Sequence, residues 1–169
     1  MLIVFGGLPG TGKSAIAKAI AKERRAVYLR IDAIEQVLRS SGVLAKDVGP
    51  SGYMVAYALA EANLGLGLTV VADSVNPLAI TRDAWRKIAA IASTEIVEIE
   101  IICSDREEHR RRAETRSVDV PGLIAPSWAQ ILRHDYEPWD RPRIVLDTAH
   151  RTVEQSLTEL RARIGTGPI

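Results

Sequence analysis

Residues 6–14 read GGLPGTGKS. From Gly7 to Ser14 they satisfy every fixed position of the pattern G-x-x-x-x-G-K-[ST]. Each residue type suits a chain of phosphates. Gly7, Gly10 and Gly12, with Pro9 and Thr11 between them, form a loop whose successive backbone N–H groups can turn inward around anionic oxygens. The helix beginning near Lys13 would aim its positive end at the same oxygens. Lys13 is placed to reach the outer phosphates, and the Ser14 hydroxyl to bind Mg²⁺. A glycine-rich turn followed by a chance Lys-Ser is the bland alternative. The full motif, set between a strand and a helix, argues against it.

The motif implies a nucleoside triphosphate and no more. Kinases, GTPases, motors and assembly ATPases all share it. The chain has no Asn-Lys-x-Asp run to read guanine. DVPG (119–122) fits a loose D-x-x-G pattern but lies in a proline-rich stretch and follows no strand. No apolar strand ends in an Asp-Glu pair.

Short apolar runs alternate with helical spacings around this loop. Strands are expected at 2–6, 26–31, 68–73, 94–103 and 143–148. Helices are expected at 13–24, 33–40, 53–67, 80–93, 105–116 and 152–164, with a loop at 41–52. Alternation of this kind predicts an α/β fold, a parallel sheet with helices on both faces. Residues 117–142 break the pattern. They hold four prolines and two of the three tryptophans, and read as an ordered loop with one short helix near 127–133. The whole chain, 1–169, reads as one domain.

Composition sets the bounds. The 169 residues carry 22 Lys and Arg against 21 Asp and Glu, a net charge of +1. Charge alone therefore gives no reason to expect a nucleic-acid or membrane surface. The single cysteine, Cys103, cannot form an internal disulfide and reads as a small buried hydrophobe at a strand end. With no targeting or membrane-spanning run apparent, a cytoplasmic setting is expected. His109, His134 and His150 share no spacing that marks a metal site or a triad.

Taken in order, GGLPGTGKS, RIDAIEQVL, GLTVVADSVNP, TRDAWRKIA, EEHRRRAETR, YEPWDRP and IVLDTA resemble small P-loop kinases of the nucleoside-monophosphate-kinase-like group. The nearest resemblance is to the AAA-type small-kinase family, alongside chloramphenicol phosphotransferase and the gluconate, shikimate, adenylylsulfate and polynucleotide kinases. It implies a P-loop NTPase three-layer fold with a five-stranded parallel sheet in the order 2-3-1-4-5. It also implies an arginine-bearing lid near 105–117, an acceptor-side loop near 117–142, and use of ATP and Mg²⁺ to phosphorylate a hydroxyl of a small-molecule acceptor. The polynucleotide kinases keep a nucleic-acid acceptor open but not favoured at this net charge, and a nucleotide-gated switch is the reading outside metabolism.

The resemblance distributes roles residue by residue. Asp32 matches an acid that orients or deprotonates the acceptor hydroxyl, at the strand end that faces the ligand crevice, against a simple cap for a helix starting at Ala33. Asp73 matches the strand-end acid that holds magnesium through water or binds the acceptor, against a simple turn-capping Asp. Ser74 and Asn76 would line the same pocket. Arg82 matches an acceptor-side arginine, or is a solvated helix residue. Arg112 and Arg116, four residues apart, match the lid pair that spreads the charge of the moving phosphoryl group; otherwise they belong to a solvated charged helix. Thr148 and Ala149 would pass the adenine. Relatives often carry an arginine three residues after the Asp32 position, where this chain has Glu35. Trp128, Tyr136 and Trp139 either pack the loop or wall the acceptor. The acceptor-setting segments, 41–54 and 117–142, name no ligand by composition.

Overall fold

A computed structural model describes residues 1–42 and 47–164. Residues 43–46, part of the expected acceptor-side segment 41–54, lie outside the described residues.

The sheet is built from five parallel strands: β1 (Leu2–Gly6), β2 (Val27–Arg30), β3 (Val70–Asp73), β4 (Ile96–Ile102) and β5 (Ile144–Asp147). Their order is β2-β3-β1-β4-β5, the order the resemblance implied. β1 is central, and all five of its residues are buried, which is why it reads as an unbroken apolar run. Alternate side chains serve opposite faces. Leu2 and Val4 join Val70, Ala72, Ala56, Ala60 and Trp85 on one side. Ile3 and Phe5 join Ile16, Ile20, Ile99, Leu157 and Leu160 on the other.

Helices cover both faces. α1 (Lys13–Glu23) and α7 (Val153–Ile164) pack on the second of these cores, and α3 (Ser51–Gly65) and α4 (Ala79–Ile91) on the first. α2 (Ile31–Ser40), α5 (Arg106–Thr115) and α6 (Trp128–Leu132) stand at the carboxyl end of the sheet. α6 is the short helix expected within 117–142, and a capping box of Ser127 and Gln130 starts it. Among the described residues no helix is long and apolar enough to cross a membrane.

Two boundaries differ from the sequence reading in ways that matter. α2 starts at Ile31, directly after β2, and Arg30 is its N-cap residue with no side-chain cap. Asp32 therefore lies within the first turn and does not cap a helix at Ala33. α5 ends at Thr115, and Arg116 is its C-cap residue, with extended backbone (φ −62°, ψ 137°). Arg112 and Arg116 thus diverge in backbone conformation instead of sharing one continuous helix face.

Candidate active site

The loop between β1 and α1 is tightly wrapped. Gly7 has φ +135°, and a Cβ there would lie 2.2 Å from the Ile101 carbonyl oxygen. Gly10 has φ +90°, and its Cβ would lie 2.8 Å from Ala113 Cβ on α5. Both positions demand glycine for conformation and for space. Gly12, at φ +88°, is the N-cap residue of α1. The Thr11 side chain donates to Leu8 O at 2.9 Å and closes the loop on itself.

Lys13 points inward. Its Nζ lies 2.6 Å from Asp73 Oδ1, and both side chains are nearly inaccessible. Tyr28 donates its hydroxyl to the other carboxylate oxygen, Oδ2, at 2.6 Å. Burial by itself would push the Asp73 carboxyl up; the Lys13 charge and hydrogen bonds from Lys13, Tyr28 and Ser14 outweigh it and hold the carboxyl below its ordinary value. For Tyr28, burial first and Asp73 second drive the phenol upward, so it remains a proton donor. Parallel register makes this meeting possible: Phe5 pairs with Asp73, and Arg30 pairs with Asp73 from the other side.

A cavity of about 1080 Å³ opens over the carboxyl end of the sheet. Pro9, Gly10, Gly12, Lys13, Ser14, Asp32, Arg112, Arg116 and Thr148 all line it. Asp73 lies behind Lys13 and not on the cavity wall. Asp32 has a side chain 35% exposed, with Arg30 Nε 4.0 Å from its Oδ2. Glu35, standing where relatives often have arginine, pairs with Arg39 at 3.0 Å and packs so closely on Gly52 that a Cβ there would meet Glu35 Cγ at 2.3 Å. Burial holds the Glu35 carboxyl above its ordinary value.

α5 is tied to the phosphate loop. Arg112 Nη1 donates to Thr148 Oγ1 and Nη2 to Thr148 O, both at 3.0 Å, while Glu108 holds Nη2 at 2.6 Å. The Thr148 Oγ1 donates to Thr11 O at 2.7 Å. His109 Nε2 lies 2.9 Å from Pro9 O. Arg116 Nε is buried with no hydrogen-bond partner. Thr148 enters through its hydroxyl, beyond the backbone contact expected of it. Asp105, Glu108 and His150 also converge, their ligand-type atoms within 4.8 Å of one another. His150 sits 3.0 Å from Asp105 and 3.2 Å from Glu108; residues 42 or more apart in sequence show no such spacing.

Arg82 corrects both readings offered for it. It is 0% exposed and lies outside the cavity lining. Its guanidinium donates to the carbonyls of Asn76, Pro77, Glu137 and Pro138 at 2.5–3.1 Å, and lies 4.4 Å over the Trp139 ring. It is not solvated and does not reach the cavity wall. It clamps the loop after β3 to residues 137–138. Trp139 packs against Gly6, where a Cβ would meet it at 2.7 Å, and Trp128 packs on His109 with ring centres 5.0 Å apart. None of Trp128, Tyr136 and Trp139 lines the cavity; they pack the loop. Ser74 and Asn76 are likewise buried and off the lining.

Sequence reasoning missed Tyr28, Arg30 and His109. The first two sit two apart on β2, so strand alternation placed them on one face. Nothing in the sequence, however, linked that face to Asp73.

A parallel 2-3-1-4-5 sheet with a phosphate-loop motif after its central strand is the P-loop NTPase fold. The chain belongs to the AAA domain family, whose model matches residues 2–125. No curated protein sequence matches it. Solved structures do. An APS kinase from Mycobacterium tuberculosis, in complex with AMPPNP and APS, is 19% identical with a TM-score of 0.67, covering 96% of each chain. A sugar kinase from Janibacter is 18% identical (TM-score 0.71), covering 96% of this chain and 93% of its own. A gluconokinase from Sinorhizobium meliloti is 21% identical (TM-score 0.62), covering 95% and 89%. At these identities the likeness is one of fold.

Proposed function

We propose that the protein is an ATP- and Mg²⁺-dependent phosphotransferase acting on a hydroxyl of a small-molecule acceptor. The observation that carries this reading is the single cavity shared by the phosphate loop, Asp32 and the two lid arginines. It brings the loop glycines and Lys13 together with a partly exposed carboxylate, Asp32.

Phosphoryl transfer needs positioning and charge stabilisation more than covalent chemistry. Lys13 leaves Asp73 to hold the outer phosphates. Asp73 keeps the Tyr28 hydrogen bond, so one carboxylate oxygen stays fixed while the other is freed. Ser14 and Asp73 together present hard oxygen donors of the kind magnesium takes. Bound there, magnesium would neutralise charge on the phosphates. Asp32 accepts a hydrogen bond from the acceptor hydroxyl, orients it for in-line attack and takes its proton as the O–P bond forms. Arg112 and Arg116 stabilise the charge spread over the moving phosphoryl oxygens. The net charge of +1 supports a small acceptor over a polynucleotide.

Asp32→Asn tests the assignment. The variant should bind a non-hydrolysable ATP analogue as the wild type does by isothermal titration, while transfer to an acceptor found by metabolite screening falls by about 10²-fold or more. Equal transfer by both proteins removes Asp32 from the mechanism. ATP turnover that no acceptor increases, but a protein partner does, would point to a nucleotide switch.

A further inference from the structure

Arg30 stands at the cavity wall, two residues before Asp32. Its side chain is only 13% exposed, and its Nε lies 4.0 Å from a carboxylate oxygen of Asp32 and of Asp73. That Nε makes no hydrogen bond. Its short ion pair is made elsewhere, from Nη1 to Asp119 Oδ1 at 2.6 Å. Asp119 comes from the loop that leaves the lid, 89 residues away in sequence, and is 57% exposed. The nearest anion to this mostly desolvated cation is therefore a carboxylate mostly in water, with Asp32 and the buried Asp73 farther off at 4.0 Å.

Such a pair exchanges readily. An exposed partner gains little from the contact, and water screens it. The mostly desolvated guanidinium keeps Asp32 and Asp73 at 4.0 Å, and its close contact at Nη1 favours an anion in the Asp119 position. Its planar fork suits a carboxylate or a phosphate. The other acid on this wall, Glu35, is engaged by Arg39. Across the same cavity Arg116 adds a second guanidinium with a buried, unpartnered Nε.

We propose that Arg30 is the recognition site for an anionic group on the acceptor, a carboxylate or a phosphate, and that Asp119 holds this place until the acceptor arrives. The inference rests on the phosphotransferase reading and adds the acceptor's class, a hydroxyl compound carrying an anion. An anion seated on Arg30 brings a hydroxyl a few bonds away to Asp32, because the guanidinium and that carboxylate are already 4.0 Å apart. A neutral analogue displaces nothing and leaves Asp119 in the way, which disfavours it.

The test uses the full chain with AMP-PNP and Mg²⁺ at saturation, so that the phosphate loop is filled. Inorganic phosphate and acetate are then titrated separately and followed by calorimetry. Asp119→Asn should half-saturate at about fivefold lower anion concentration than the wild type, the factor an exposed ion pair is worth. Arg30→Gln and Arg30→Lys should bind the anions about tenfold more weakly or not at all. A stronger phosphate arm marks a phosphorylated acceptor; a stronger acetate arm marks a carboxylate. AMP-PNP binding by each variant reports that it has folded, and Arg30→Lys decides the matter if Arg30→Gln does not fold. Anion binding that is unchanged or weaker in Asp119→Asn, or undiminished in the folded Arg30 variant, overturns the inference and leaves the phosphotransferase reading standing. Failure of the wild type to bind AMP-PNP sinks that reading and this inference with it.

Discussion

Lys13→Ala should do more than stop nucleotide turnover; it should unbalance the interior. Asp73 is 1% exposed, and the variant removes the cation 2.6 Å from its Oδ1. Truncating one partner of a buried pair costs about 3–5 kcal/mol. Protonation of the orphaned acid sets a ceiling. At about 1.4 kcal/mol per pH unit between its ordinary value of 3.8 and pH 7, that ceiling is roughly 4 kcal/mol. The Tyr28 hydrogen bond survives, so the expected loss is about 3 kcal/mol. Urea unfolding at pH 7 of wild type, Lys13→Ala, Asp73→Asn and the double variant measures it. The cycle should show a coupling of about 2 kcal/mol.

The pH dependence has a definite sign. In the wild type the Asp73 carboxyl is held low, so the pair stabilises the fold above the ordinary carboxyl value; that contribution fades as pH falls through the lower folded value. In Lys13→Ala the folded state binds a proton that the unfolded state does not, and the deficit shrinks from pH 7 to pH 5. A Lys13→Ala protein within about 0.5 kcal/mol of wild type at pH 7, or strict additivity in the cycle, would refute the buried-pair argument.

Arg82→Ala should destabilise the protein by about 3 kcal/mol, because four carbonyls lose a donor and, among the described residues, only Pro77 O keeps another, from Glu137 N; Arg82→Lys should recover only part, having three donors. A loss of acceptor transfer with undiminished stability would restore Arg82 to the site. Gly10→Ala should weaken binding of an ATP analogue about tenfold, since its φ is +90° and its new Cβ meets Ala113 at 2.8 Å; calorimetry reads this directly. Thr148→Val removes the hydroxyl between Arg112 and Thr11 and should cost about 1 kcal/mol. Faster hydrogen exchange along 106–115 should accompany it, showing α5 released from the loop.

Much of the architecture was legible in the chain. The order of strands and helices follows from period-2 and period-3.6 apolar spacing, which depend only on local backbone geometry. The phosphate loop was legible for the same reason: its glycines answer to local φ values and its lysine to a neighbouring helix start. The sheet order came through resemblance, since apolar strands carry no label for their neighbours.

The site was less legible because its decisive contacts are long-range. Asp32 and Arg116 were named from sequence, but whether each belonged to a cap, a helix face or a cavity wall turned on helix ends that shifted by one or two residues. Arg82 was misplaced because burial of a charge is invisible until the carbonyls that satisfy it, 55 and 56 residues away, have been brought to it. Tyr28 gained its role only when parallel register set β2 beside β3 and gave its hydroxyl the Asp73 carboxylate.

By itself the sequence determined the elements and the phosphate loop, since both are properties of neighbours along the chain. Tertiary structure alone decided which charge meets which, pairing Lys13 with Asp73 and Arg30 with Asp119 across 60 and 89 residues. Desolvation makes those choices strict, because a cation taken out of water must find its anion wherever the fold has placed one.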